Sequence, residues 1–392
     1  MLEYIGKESL QALVNDQTVE HRSLEFKSYL FPNGKIEPSK VKEELAKDIT
    51  AMANAEGGVI ILGIREIDNV AAELIGIGCS MAAFDEIQQA LQSFLLARVR
   101  PRLYGIAMAP IILDNDNISI VISIPRSFAR PHAVNDGNKD YFFIRHGNIV
   151  QSMSVDELRR QFLLSSSLKT EIKLFRQDRI GMVINHETVG PLLAGPKLII
   201  HMIPAWSFED SNFVNVRQFQ EEAQSNLTNP ISRGSSWGSC YNADGYCEKH
   251  ETKSNEVDYY FQIFRNGIIE IVDSCMLLRL STSCEYDYRW SYAEAEIFRK
   301  LQSNEKLLTS LCVPRPWYIF ISLLNMKGFR ANTYGESRPL DRDIIHADSC
   351  LWEDDIQNLD HIIRPAFDSL ANCFGRASSA NFYDDGRYKH SS

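Results

Sequence analysis

The sequence predicts an α+β protein of two successive domains, at 1–165 and 168–392. Three observations predict it. Val41, Leu45, Ile49, Met52 and Ala53 share one face at helical spacing, and this helix leads through Gly57-Gly58 into the apolar run 59–64, a strand buried on both faces. The runs 111–113 and 118–124 read as strands paired across Asp114-Asn115-Asp116-Asn117. A boundary falls near the serines at 165–167, and after Gly190-Pro191 the chain becomes rich in strands, as a second domain would.

Residues 8–15 read as a short helix and 24–27 as a strand, with Glu25 and Lys27 on one face. The helix at 41–54 keeps Lys42, Glu43, Lys47 and Asp48 on its polar side and stops at the glycines. A helix at 82–97, the strand pair and a strand at 141–145 follow. Ser154-Val155-Asp156-Glu157 is a capping box that opens a helix through about Leu164. The second domain should hold a helix at 168–179, strands at 198–203, 259–272 and 317–324, and helices at 294–312 and 354–370, the last broken at Pro365. The stretch 226–244 reads as a loop, and the residues from Asp384 as frayed.

At 44% apolar and 23% charged, 392 residues form an ordinary globular mixture, which excludes a wholly disordered chain. A net charge of −10, from 41 Lys+Arg against 51 Asp+Glu, excludes a wholly basic nucleic-acid binder but not an enzyme with a local basic groove. No run reaches the roughly 18 apolar residues of a membrane span. No apolar leader is visible, so a cytoplasmic protein without a membrane partner is expected. The eight cysteines are dispersed, and reduced thiols are expected. No G-x-x-x-x-G-K-[ST] occurs, which argues against a P-loop ATPase.

Four constellations bear on chemistry. Glu20, Glu25 and Lys27 surround the first strand, and Glu66 follows the apolar strand. Converging carboxylates beside a lysine suit Mg²⁺ or Mn²⁺, because hard ions prefer carboxylate oxygen. The same pattern also reads as a solvated strand edge with an ion pair. Gly57-Gly58 can bring backbone amides to a phosphate, or simply cap the helix. Basic groups recur at Arg98, Arg100 and Arg102, at Arg126, Arg130 and His132, at Arg145 and His146, and along Lys169, Lys173, Arg176 and Arg179. They can track a phosphate backbone or be ordinary solvated surface. The spacing of Cys240, Cys247 and His250 matches no common zinc site.

Taken together, residues from about 17 to 163 resemble the Schlafen AlbA_2 domain. The resemblance is carried by Glu20-x4-Glu25-Phe26-Lys27, by Ala46-Lys47-Asp48-Ile49 through Ala53-Asn54-Ala55-Glu56-Gly57-Gly58, and by Ile61-Leu62-Gly63-Ile64. Ile124-Pro125-Arg126-Ser127-x3-Pro131-His132, Tyr141-Phe142-Phe143-Ile144-Arg145-x-Gly147 and Met153-Ser154-x2-Glu157-Leu158 complete it in order. It implies an N-terminal α+β domain with a mixed sheet and flanking helices, which binds nucleic acid. In the Schlafen nucleases this domain carries a three-carboxylate, metal-dependent centre that cuts tRNA and rRNA. Their first two acids and lysine match Glu20, Glu25 and Lys27. Their third acid is an aspartate, where Gly63-Ile64-Arg65-Glu66 offers Glu66 here.

The resemblance thus implies a metal-dependent endoribonuclease for tRNA or similar structured RNA in bacterial anti-phage defence. Glu20, Glu25 and Glu66 would hold Mg²⁺ or Mn²⁺, and Lys27 would neutralise the scissile phosphate. Arg98, Arg100, Arg130, Arg145, Lys169, Lys173 and Arg176 would guide the backbone. Residues 168–392 would hold substrate, sense a trigger or build a homodimer. The alternative is a DNA- or RNA-binding regulator without catalysis.

Overall fold

A computed structural model of the chain describes residues 6–31, 35, 39–114, 116–208, 213–217, 237–277, 290–330, 339–353 and 358–389. The protein is mixed helix and sheet and divides into two compact units, Met1–Ser167 and Leu168–Ser392.

Unit 1 begins with α1 (Lys7–Asn15), β1 (Leu24–Lys27), α2 (Ser39–Asn54) and β2 (Gly57–Leu62). The hairpin β3 (Ile64–Ile67) and β4 (Val70–Leu74), α3 (Phe84–Arg98), β5 (Val99–Arg100), β6 (Ala107–Ile112) and β7 (Ile118–Pro125) come next. It continues with β8 (Ala133–Asn135), β9 (Asp140–His146) and β10 (Ile149–Ser152). One sheet has the order β1-β2-β7-β6, with β1 parallel to β2, and a second has the order β10-β9-β8-β5. The apolar stripe of α2 packs with Ile60, Leu62, Ile120 and Ile122 in the main core.

The run 59–64 is not a single strand. Gly63, at φ +105°, ends β2 and redirects the chain into the hairpin. The amides at Gly57 and Gly58 do not form a phosphate cradle, because both residues lie within β2. A Cβ at Gly57 would stand 2.5 Å from the Ile124 carbonyl oxygen, and one at Gly58 2.6 Å from that of Ser23. The glycines are there so that β2 can pass between β1 and β7.

Helix α4 covers Val155–Ile184 without interruption, where two helices were expected on either side of the serines. Serine costs a helix only about 0.5 kcal/mol, and Ser167 Oγ bonds back to the Leu164 carbonyl at 2.9 Å. The capping box forms as expected: Glu157 accepts from the Ser154 amide at 2.7 Å, and the Glu157 amide donates to Ser154 Oγ at 3.3 Å.

Unit 2 continues with β11 (Lys197–Pro204), β12 (Trp237–Tyr241), β13 (Gly245–Glu251), β14 (Val257–Phe264) and β15 (Ile269–Asp273). Then come α5 (Trp290–Ser310), β16 (Trp317–Leu324), β17 (Ile345–His346), β18 (Cys350–Trp352) and α6 (Leu359–Cys373). The strands form one sheet of order β12-β13-β14-β15-β11-β16-β17, with β18 also on β16. Helices α5 and α6 pack on one face, and Ile172, Ile180 and Val183 of α4 pack on the other.

The expected strand 259–272 is a hairpin, turned at Asn266-Gly267, where Gly267 has φ +83°. Pro365 lies inside α6 without ending it, because Ile363, Ala366, Phe367 and Leu370 anchor that helix in the core. The tail is not frayed at Tyr388, whose ring stacks on Phe298 at 4.3 Å. The expected loop is a strand from Trp237. Its part at 226–236, the residues 354–357 and Cys284 lie outside the described residues. The described cysteines are free thiols. Among the described residues no helix is long and apolar enough to cross a membrane.

Candidate active site

Strand alternation puts Glu25 and Lys27 on one face of β1, where their side chains pair. Lys27 Nζ also lies 3.3 Å from Asp48 Oδ2 of α2. Burial would lower the Lys27 ammonium, but Asp48 and Glu25 outweigh it and hold it above the ordinary lysine range. Burial raises Asp48 in turn, and Lys27 offsets part of that rise.

Glu20 arrives from a different segment. The Ala71 amide donates to the Thr18 carbonyl at 2.9 Å, and the Glu20 amide to the Asn69 carbonyl at 2.8 Å, so residues 18–20 run beside β4. Asp68 and Asn69 turn the β3–β4 hairpin with φ of +55° and +62°, the pattern of a type I′ turn. A register shift between Arg65 and Glu66 re-aims the Glu66 side chain. The Glu66 carboxyl comes close enough to Glu20 to raise it.

Burial raises the Glu20 carboxyl. The Phe26 amide, donating to Oε1 at 2.6 Å, opposes this, while Glu66 and Glu25 add to the rise, which brings Glu20 to about 7. Glu20 therefore feels both of the other expected acids. Among the described residues, no three of His, Cys, Asp and Glu stand in a ready-made metal-holding group. The donor set is nevertheless oxygen-only and crowded with like charge, which is chemistry that fits Mg²⁺ or Mn²⁺.

Arg145 does not face solvent as a backbone guide would. Its side chain is fully buried, with Nη1 2.5 Å from Glu25 Oε2. Nη2 reaches the carbonyls of His21 and Leu24 at 3.2 and 3.3 Å, and Nε that of Gly147 at 3.1 Å. Glu25 is thus held by Lys27 on one oxygen and Arg145 on the other.

The other basic groups divide by surroundings. Arg100, Lys169 and Lys173 are exposed, and Arg98 is half-buried, with Nη1 donating to the Asn135 carbonyl at 3.3 Å. Arg130 is buried. Arg176 is half-buried and bonded to Ser322 and His346. His132 is also buried: burial lowers it to about 4, and its ring nitrogens bond the Pro101 carbonyl and Ser127 Oγ. It is a neutral core residue and not a basic surface group.

Two site residues were missed from the sequence. Asp48 shares the polar composition of the solvated side of α2, yet it follows Leu45 by three residues and precedes Met52 by four, a spacing that turns it inward. Asn54, inside the Gly-Gly motif, fastens the second sheet to α2. Its amide donates to the carbonyls of His132 and Phe143 at 2.9 and 2.8 Å and accepts from the His132 amide at 2.7 Å.

Comparison with curated proteins gives no match. Among solved structures the chain is similar to the DIP2311 protein from Corynebacterium diphtheriae, at 18% identity and a TM-score of 0.25, over 38% of this chain and 27% of that one. It is also similar to the N-terminal domain of an ATP-dependent DNA helicase RecG-related protein from Nitrosomonas europaea. That match has 15% identity and a TM-score of 0.23, over 31% of this chain and 74% of that one. The first match spans about a quarter of the Corynebacterium chain. A protein-family model described as Schlafen, AlbA_2 matches residues 20–154, the span that contains the carboxylates, Lys27 and Arg145. Over these residues the chain matches the Schlafen AlbA_2 family, and its N-terminal unit carries the domain that this family defines.

Proposed function

We propose that the N-terminal unit is a metal-dependent endoribonuclease domain that acts on tRNA or similar structured RNA. The observation that carries this reading is the crowding of Glu20 by the like-charged Glu25 and Glu66 beside Lys27, a cluster whose excess negative charge favours a cation. Mg²⁺ or Mn²⁺, held by Glu20, Glu25 and Glu66, would polarise the scissile phosphate as a Lewis acid. Lys27, kept charged by Asp48 and Glu25, supplies positive charge to the phosphate oxygens. Glu20, at about 7, can hold or release a proton at its carboxyl near neutral pH. Arg145 positions Glu25. Exposed Arg100, Lys169 and Lys173 contribute contacts to the RNA backbone, read by shape and phosphate position. A role in anti-phage defence and a dimeric form are supported by the family resemblance alone.

One observation favours a second reading, a regulator that binds nucleic acid without cutting it: both Glu25 oxygens already have cationic partners in the protein. Incubating a total tRNA pool with the purified protein and Mn²⁺ or Mg²⁺ separates the two, with EDTA and Glu25→Ala as controls. Discrete fragments that require both the metal and Glu25 are expected. Intact tRNA that is nevertheless bound, with affinity falling steeply as salt rises, would replace the nuclease with the regulator.

A further inference from the structure

Two arginines three residues apart on α4 have opposite surroundings. Arg179 is buried, and its Nε and Nη2 grip Glu270 Oε2 and Oε1 at 3.1 and 2.7 Å. Arg176 has no carboxylate partner among the described residues. Its Nη2 lies 2.8 Å from both Ser322 Oγ and His346 Nδ1, and its guanidinium lies over the Phe320 ring at 4.7 Å. Its Nε is buried and makes no hydrogen bond.

Ser322 and His346 face each other across β16 and β17, with Oγ and Nδ1 3.2 Å apart. Ser322 is buried, while His346 is exposed on the last strand of the sheet, so the cluster reaches the surface there. Burial, and then the Arg176 charge, lower His346 and favour a neutral ring. With Nδ1 accepting from Arg176, the proton sits on Nε2 and makes it a donor.

A guanidinium taken partly out of water without a counter-charge is costly, and an anion offsets that cost. Its planar fork matches phosphate oxygens. Lys169 and Lys173, seven and three residues before Arg176, lie along the same helix face and are exposed, which extends the positive field. Two aromatic rings, Tyr318 and Phe320, line up beside it on β16 at 6.5 Å with planes 9° apart.

We propose that Arg176, Ser322 and His346 form a seat for a phosphate group, either a phosphodiester of RNA or the phosphate of a small nucleotide. The seat belongs to the second unit and does not depend on whether the carboxylate cluster cuts RNA. It gives that unit a ligand chemistry of its own.

The test uses the full chain and three probes: inorganic phosphate, AMP and an RNA hairpin, each against sodium chloride of equal ionic strength. Calorimetric titration gives affinity, and thermal unfolding gives stabilisation. Phosphate and AMP should raise the melting temperature, and Arg176→Gln should weaken AMP binding at least tenfold with the circular dichroism spectrum unchanged. His346→Gln, at an exposed position, should weaken it several-fold, and it carries the test if Arg176→Gln does not fold. AMP tighter than the hairpin identifies a nucleotide ligand. A hairpin whose Arg176-dependent affinity exceeds that of AMP identifies an RNA phosphate. No response to any probe beyond chloride, or AMP and hairpin binding unchanged by both variants, overturns the proposal.

Discussion

Each unit buries a glutamate among charged neighbours, with opposite results. Glu270 of unit 2 is wholly enclosed, and four donor contacts reach it: two from Arg179, one from His201 Nε2 at 2.9 Å and one from the Tyr260 hydroxyl at 2.8 Å. Burial alone would raise its carboxyl; the hydrogen bonds and charges of His201 and Arg179 outweigh that and bring it to about 2. Glu20 of unit 1 is nearly as buried, at 7% exposure against 0%, yet one backbone amide donates to it while two neighbouring acids oppose its charge. It rises to about 7. Burial is therefore a poor guide to function. The donors gathered around a carboxylate decide whether it is a structural rivet or a group still short of positive charge.

The severest way to break this comparison is Glu270→Ala. It strands Arg179 and His201 in the interior and should cost about 3–5 kcal/mol, read from urea unfolding followed at the tryptophans. A loss below about 1 kcal/mol would mean that the network is ornamental. Next comes Arg145→Lys, which keeps a charge near Glu25 but loses the fork that also holds the His21 and Leu24 carbonyls. We expect a loss of about 2–3 kcal/mol, because hydrogen bonds to charged groups are the strong ones. A variant as stable as the parent would show that Arg145 does not organise β1.

Glu20→Gln sharpens the contrast through pH. The folded carboxyl titrates near 7, above its ordinary 4.5, so its contribution to stability is fully present below about 4.5 and is lost as pH rises through about 7. Glutamine has no proton to lose. The variant should therefore gain on the parent by about 3 kcal/mol between acid and mildly alkaline pH, in metal-free buffer. A pH-independent difference between the two proteins would contradict the crowding of acids at this point. The smallest effect is expected for Tyr260→Phe, which removes one of the four donors to Glu270 and should cost about 1 kcal/mol. A cost near that of Glu270→Ala would show that Tyr260, and not Arg179, dominates the network.

Much of this was legible in the residues. Period-two alternation placed Glu25 beside Lys27, and the turn residues marked both the 114–117 and the Gly57-Gly58 transitions. The capping box marked the start of α4. Local pattern failed where tertiary contacts decide. The serines at 165–167 look like a linker, but nothing in their chemistry stops a helix. Arg145 looks like a surface base at the end of a strand, and its carboxylate lies far away in sequence. Asp48 has the composition of a polar face and the position of a core residue. No local rule joins Arg176 to Ser322 and His346, which come from three elements of the second unit.

The pairing of Arg145 with Glu25 also bears on how the chain is made. The acids leave the ribosome within residues 20–66, whereas the arginine that steadies Glu25 is encoded far downstream. At about 5–20 residues per second, the nascent chain spends several seconds or more with these carboxylates opposed only by nearby lysines and arginines. Asn54 waits equally long for His132 and Phe143. The unit is therefore built to close late. A fragment cut before β9 would carry the acids and Lys27 without the pieces that hold them in place, so any minimal version of the domain must run past Gly147, whose carbonyl receives the last of the Arg145 bonds.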